Sequence, residues 1–183
     1  TAVDLIAEQG LAGATLQKLA ERTGLSRTLA VFHFKTKENL FVELLTHLTD
    51  EYDRLMRGAV HPDLPPPEQL RALVEFDLSF GITHPQYLSV WYAFWGEARG
   101  SAIYQEVTRP LDHAYRNEAR SIIQQVLDDA PNTRIEAQTI ADGLGSMVLG
   151  IWLDAHLEPE SFNIDRARRA VESYLSRVFP GLY

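Results

Sequence analysis

A chain of 183 residues suits one large domain or a small domain beside a medium one, and 45% hydrophobic with 23% charged residues is the balance of a folded globular protein, not of a disordered or low-complexity one. The absence of cysteine excludes a disulfide framework, thiolate metal sites and cysteine catalysis, and fits an intracellular setting. A net charge of -8 argues against nucleic acid for the chain as a whole, yet residues 15–37 carry Lys18, Arg22, Arg27, Lys35 and Lys37 against Glu21 alone, a local +4 that leaves -12 elsewhere.

The chain opens at Thr1 without a methionine, directly in a helical pattern and with no signal peptide, so its natural start is expected upstream. The spacing predicts a first helix over 2–9, stopping before Gly10. Thr15 caps a short helix over 15–22 that Gly24 ends in a tight turn. Ser26 caps another, reaching about Phe34. Thr36 caps a long helix on which Leu40, Phe41, Leu44, Leu45, Leu48, Tyr52 and Leu55 recur with a period near 3.6. Gly58 and the run from His61 to Pro67 break it, because proline this dense cannot sit inside a helix. Helices restart at Pro67, running to Thr83, and at Pro85, ending near Gly100. A further one spans 101–129 with a kink or break expected at Pro110, and two more cover 134–157 and 163–178. No segment alternates like a strand, and there is no internal repeat.

A short helix, a glycine turn and a second short helix form a helix-turn-helix pattern. The first turn of the second helix presents Ser26, Arg27 and Thr28, and Arg27 has the fork that pairs bidentately with guanine. Val31 lies one turn on and suits a thymine methyl, while His33 and Lys37 suit phosphates, as does Ser26 at a helix N-terminus. A helical cap with solvated cations is the plainer alternative. The full string reads Gly13-Ala14-Thr15-Leu16-Gln17-Lys18-Leu19-Ala20-Glu21-Arg22-Thr23-Gly24-Leu25-Ser26, then Phe32-His33-Phe34-Lys35-Thr36-Lys37-Glu38-Asn39-Leu40-Phe41. Over about residues 1–50 this resembles the DNA-binding domain of the TetR (tetracycline-repressor) family, with AT before the first helix, LA within it, GLS at the turn and HF followed by KE-x-L. The resemblance implies dimeric, all-helical repressors whose larger C-terminal domain binds a small effector and releases DNA. It implies backbone contacts at Thr15, Gln17, His33 and Lys37, and base-facing positions at Arg27, Thr28 and Val31. One departure stands out: where the family usually has an aromatic residue, most often tyrosine, this chain has Val31.

Tyr87, Trp91, Tyr92, Phe94 and Trp95 crowd one helix and are followed by Glu97; Trp152 lies on a later helix, and Phe76, Asp77 and Phe80 on the one before. An aromatic core accounts for most of these. An effector cavity is the functional alternative, with Phe76, Trp91, Tyr92, Trp95, Glu97 and Trp152 as candidates. Aromatic faces beside a carboxylate from Asp77, Glu97 or Asp154 suit a cation, which the ring quadrupole attracts. The run from His84 to Trp95, with 141–144, 150–153 and 174–180, is similar to the C-terminal domain of BetI-like regulators. Those control choline-to-glycine-betaine genes and respond to choline, so the resemblance implies a quaternary ammonium effector.

On the last two helices Ile140, Leu144, Met147, Val148, Ile151 and Leu157 take apolar positions among Gly143, Gly145 and Gly150, and Val171, Tyr174, Leu175 and Val178 make a second stripe. The resemblance implies a four-helix dimer interface here; packing within the chain, or room for an effector, is the alternative. Enzyme readings fail: His33, His47, His61, His84, His113 and His156 form no close metal spacing, Asp128-Asp129 ends a helix, and the glycines at 143, 145 and 150 are no dinucleotide fingerprint. The longest uncharged apolar stretch, 143–153, is far short of the ~20 residues that span a bilayer.

The expectation is therefore an all-α chain. A three-helix helix-turn-helix DNA-binding domain over 1–45 is joined by a long helix to an effector-binding and dimerisation domain over 46–183. The expected partners are a near-palindromic duplex operator, a small-molecule effector and a second copy, in the cytoplasm, with no membrane, metal or cofactor. The alternative occupant of the C-terminal domain is a protein partner.

Overall fold

The computed structural model describes residues 1–98, 100, 102–129 and 135–182, apart from the side chains at 98, 103 and 107–115. Helices α1 (Ala2–Gly13), α2 (Leu16–Thr23), α3 (Arg27–Phe34), α4 (Lys37–Ala59), α5 (Pro66–Thr83), α6 (Pro85–Ala98), α7 (Ala102–Asp129), α8 (Ala137–Leu157) and α9 (Ile164–Val178) follow in order. No strand occurs among the described residues. The described residues are thus all-helical, with three short helices, a long fourth and five more.

Capping chemistry sets the starts. The hydroxyls of Thr15, Ser26 and Thr36 accept from the backbone N–H of Lys18 (3.2 Å), Leu29 (3.1 Å) and Asn39 (3.1 Å), satisfying donors that the first helical turn leaves open. Asn163 caps α9 in the same way through Arg166 N–H at 2.9 Å. Gly24 closes α2 with φ 71°, a left-handed cap that glycine adopts without steric cost, and Leu25 N–H returns to the Ala20 carbonyl at 3.0 Å.

Three boundaries differ from expectation. The first helix does not end before Gly10; a φ of 68° there breaks it, and the chain re-enters helix as far as Gly13, burying Leu11. α5 starts at Pro66, one residue earlier than expected, proline being tolerated where its missing N–H would be unpaired. α8 begins at Ala137, not 134, with Glu136 at its cap position and no side-chain capping bond. The break expected at Pro110 is not found: α7 runs as one helix from Ala102 to Asp129, through Pro110.

The helices group into two compact units that interleave along the chain: Thr1–Asp53 with His84–Leu111, and Arg54–Thr83 with Asp112–Tyr183. In the first, α1 lies along α6 and α2 packs on α3. Its core is aromatic where α4 and α6 meet: Phe41 stands edge-on to Phe94 at 5.7 Å and Tyr52 edge-on to Trp91 at 5.4 Å. In the second, α5 packs on α8 and α9. Trp152 is its pin. The indole N–H donates to the Asp77 carbonyl at 2.7 Å, and the ring lies 6.0 Å from Phe80. Arg168 grips Glu75 with two bonds, at 3.0 and 2.7 Å, tying α9 to α5.

Candidate nucleic-acid interface and effector region

The expected DNA-contacting residues all lie on α2, α3 or at the adjoining helix ends. Their side chains have unequal freedom. Thr15 and Ser26 use their hydroxyls as caps. The Gln17 amide donates to Glu21 one turn on, at 3.0 Å. Arg27, Thr28 and Val31 are exposed on α3. His33 is exposed, with Nε2 at 3.9 Å from Glu43 and its ring edge-on to Phe34 at 4.6 Å.

Lys37 points back, not out. Its Nζ donates to the Ala12 carbonyl at 3.1 Å and lies 5.2 Å over the Phe41 ring. Lys18 does likewise, donating to the Gly13 carbonyl at 3.0 Å and Gln9 Oε1 at 2.6 Å. Both ammonium groups thus gather at the carbonyl end of α1, where the helix dipole is negative. Arg22 pairs with Glu8 at 2.6 Å, which lowers the Glu8 carboxyl below its ordinary range and raises the guanidinium. Of the five cations of the basic segment, Arg27 and Lys35 alone have side chains that bond to none of the described residues. Lys35 also holds a φ of 64°, a strained backbone for a residue with a side chain.

The candidate set leaves out Leu29, Phe32 and Lys35, which share the exposed surface of α3 and its end. Phe32 is 80% exposed, the highest value among the large hydrophobic residues described as exposed. Counting helical spacing outward from buried Ala30 finds it; a motif centred on Arg27 and Val31 does not.

The effector candidates fall into two groups, one in each unit. Trp91, Tyr92, Trp95 and Glu97 are on α6. Trp91 is buried against Tyr52, Tyr92 stands edge-on to Trp95 at 5.2 Å, and Glu97 is exposed. Phe76 and Trp152 belong to the second unit, with Phe80 between them, 5.6 Å from Phe76 and 6.0 Å from Trp152. Asp77, between Phe76 and Phe80 in the sequence of α5, is 1% exposed, the one buried carboxylate among the described residues. Glu97 and Asp154 are surface acids by comparison. Gly81, one turn along from Asp77, makes room for the indole: a Cβ there would lie 2.6 Å from Trp152 Cδ1. A groove of about 380 Å³ between the end of α8 and the start of α9 is lined by Ile151, Asp154, Leu157, Phe162 and Arg166; of the effector candidates it holds the Asp154 carboxylate and none of the aromatic residues.

The apolar positions of α8 divide. Ile140, Leu144 and Val148 are buried within the unit, while Leu149, Leu153 and Leu157 form an exposed stripe at helical spacing. Gly143 accommodates the Tyr174 hydroxyl, whereas a Cβ at Gly145 or Gly150 would meet nothing. No group of histidines and carboxylates suited to a metal occurs among the described residues, and no described helix is long and apolar enough to cross a membrane.

Residues 1–44 match the bacterial regulatory proteins of the tetR family, and residues 66–180 match the C-terminal domain of BetI-type transcriptional repressors. The HTH-type transcriptional regulator BetI 1 of Chromohalobacter salexigens is 27% identical over 94% of this chain and 84% of its own length. BetI of Paraburkholderia phytofirmans is 28% identical over 94% and 87%. A transcriptional regulator from Rhodococcus sp. Rha1 superposes with a TM-score of 0.84 at 26% identity, over 98% of this chain and 92% of its own. One from Saccharomonospora viridis, solved in complex with choline, superposes with a TM-score of 0.83 at 18% identity, over 96% and 92%.

Proposed function

Since the chain belongs to the TetR family and carries the C-terminal domain of BetI-type transcriptional repressors, we propose that it binds a near-palindromic operator as a homodimer and leaves it when a small cationic effector binds. Residues 1–45 serve as the DNA-binding domain and 46–183 as the effector-binding and dimerisation domain, in the cytoplasm. The observation that carries the DNA reading is α3. Arg27 stands exposed at its N-terminal turn and its side chain bonds to none of the described residues, free to fork onto guanine O6 and N7. Two such helices in a dimer reach successive major grooves about 34–36 Å apart. The stripe of Leu149, Leu153 and Leu157 supports pairing of α8 with a second copy.

Effector chemistry follows from Asp77. A buried carboxylate on the same stretch of α5 as Phe76 and Phe80, whose backbone carbonyl holds Trp152, supplies the charge and the rings that attract a cation. A quaternary ammonium such as choline fits, and the choline complex of the S. viridis regulator supports that class. Release requires the effector to favour a dimer state whose helix spacing no longer fits DNA; equal affinity for both states would shift nothing.

Two measurements test this. Replacing Arg27 with Ala is expected to cost about 1–3 kcal/mol of operator binding and to relax discrimination at one base; unchanged binding removes Arg27 from the interface. Calorimetric titration with choline beside its neutral isostere, carbon in place of the quaternary nitrogen, is expected to separate them by about 0.5–2 kcal/mol. Equal affinities would end the cationic reading. A chain that stays monomeric would favour a protein partner on the leucine stripe instead.

A further inference from the structure

Resting on the DNA-binding reading and deepening it, we infer that α3 reads thymine 5-methyl groups through Phe32, with Leu29 beside it. Phe32 is 80% exposed and Leu29 49%. The two are three residues apart and so neighbours on one helix face, opposite Ala30, which is 1% exposed and anchors α3 to its unit. Thr28 lies one turn before Phe32 on the same outward side and adds a further methyl.

This places an apolar ridge at the crest of the helix. A cation stands at either end of it, Arg27 at the first position and Lys35 just past the last, and neither side chain bonds to any described residue. α3 itself carries no acidic residue. Positive ends around an apolar crest complement duplex DNA, whose phosphates flank a major groove. Of the features that a base pair presents in that groove, only the thymine methyl matches a side chain with no donor or acceptor. A phenyl ring at the crest therefore selects thymine, and the neighbouring cations hold the phosphates. Selectivity here follows from burial of one methyl per contact, which gives about fourfold in affinity, or about sixteenfold when both half-sites carry it.

The test selects binding sites from a random-sequence duplex pool with the full chain. Each symmetric pair of thymines in the selected site is then replaced together by deoxyuridine, which removes the methyls and keeps the base-pairing edges. Wild-type chain is expected to lose about sixteenfold at one symmetric pair of thymines. Phe32→Leu is expected to keep a reduced preference there, and Phe32→Ala to bind more weakly and to ignore the methyl. Because Phe32 is exposed, both variants are expected to retain wild-type circular dichroism. Equal sensitivity to deoxyuridine in all three proteins, wild-type affinity of Phe32→Ala, or a selected site without thymine would overturn the inference while leaving DNA binding intact. Failure of the wild type to enrich any sequence would overturn the DNA-binding reading itself, and this inference with it.

Discussion

Gly81→Ala tests the packing of α5 on α8. The added Cβ would stand 2.6 Å from Trp152 Cδ1 and 3.0 Å from Nε1, whereas carbon atoms in contact rest at about 3.5–4.0 Å, so the indole must retreat by about 1 Å. It has little freedom to do so. Trp152 is 5% exposed, lies against Phe80, and donates to the Asp77 carbonyl at 2.7 Å. Overpacking of a filled core costs about 1–3 kcal/mol, and loosening the indole bond about 0.5–1.5 kcal/mol more. Alanine recovers about 1 kcal/mol of helix propensity. The net is a loss of about 2 kcal/mol, or about 4–8 °C in Tm for a chain of this size. Gly143→Ala is the matched control. It gains the same propensity, and its Cβ would meet the Tyr174 hydroxyl at 2.7 Å, the far end of a half-buried side chain that can swing. Thermal melts followed by circular dichroism are expected to show Gly81→Ala well below wild type and Gly143→Ala within about 1 kcal/mol of it. Equal Tm values for the two variants would refute the claim that Trp152 is immobile.

Leu153→Arg places a charge in the middle of the exposed α8 stripe, facing its own symmetry mate in a two-fold dimer, so sedimentation is expected to show a monomer that melts near the wild-type unit. Lys35→Gly relieves a φ of 64° and is expected to raise stability by about 1 kcal/mol while weakening DNA binding and flattening its salt dependence by about one unit per half-site; parallel changes in both readouts would refute the split. Glu75 is held below its ordinary 4.5 by the Arg168 guanidinium, so this pair stabilises the fold above that value and the contribution is lost as pH falls through the lowered pKa. Both groups are substantially exposed, so the acid melts of wild type and Arg168→Met are expected to converge after a small difference near neutrality.

Local chemistry made much of the fold legible. Thr15, Ser26 and Thr36 announce helix starts because their hydroxyls bond within their own turn, and Pro65 to Pro67 announce a break because they lack donors. Signals of that kind need no knowledge of neighbours. The start of α8 was harder, since Glu136 supplies no capping bond and leaves no mark in the sequence. Tertiary partners were beyond reach for the same reason. Gly81 matters only because Trp152 lies over it, while Gly145 and Gly150, which looked like packing residues, face open space in the chain. The basic segment shows the limit most clearly. Its charge was countable, but whether Lys18 and Lys37 reach outward depends on where α1 ends, and they bond its carbonyls.

Those two ammonium groups also make α1 a strut. α1 lies along α6, and its far end is held by Lys18 from α2 and by Lys37 from the first turn of α4. Glu8, midway along it, holds Arg22 at the end of α2. α1 is therefore bonded to the elements on both sides of the glycine turn, beside the apolar packing of Leu5, Ile6 and Leu11. A slip of one residue's rise, about 1.5 Å, exceeds what bonds of this length tolerate without moving their anchors. The helix-turn-helix is thus tied to α6 through α1, by bonds from both α2 and α4 to the end of one helix.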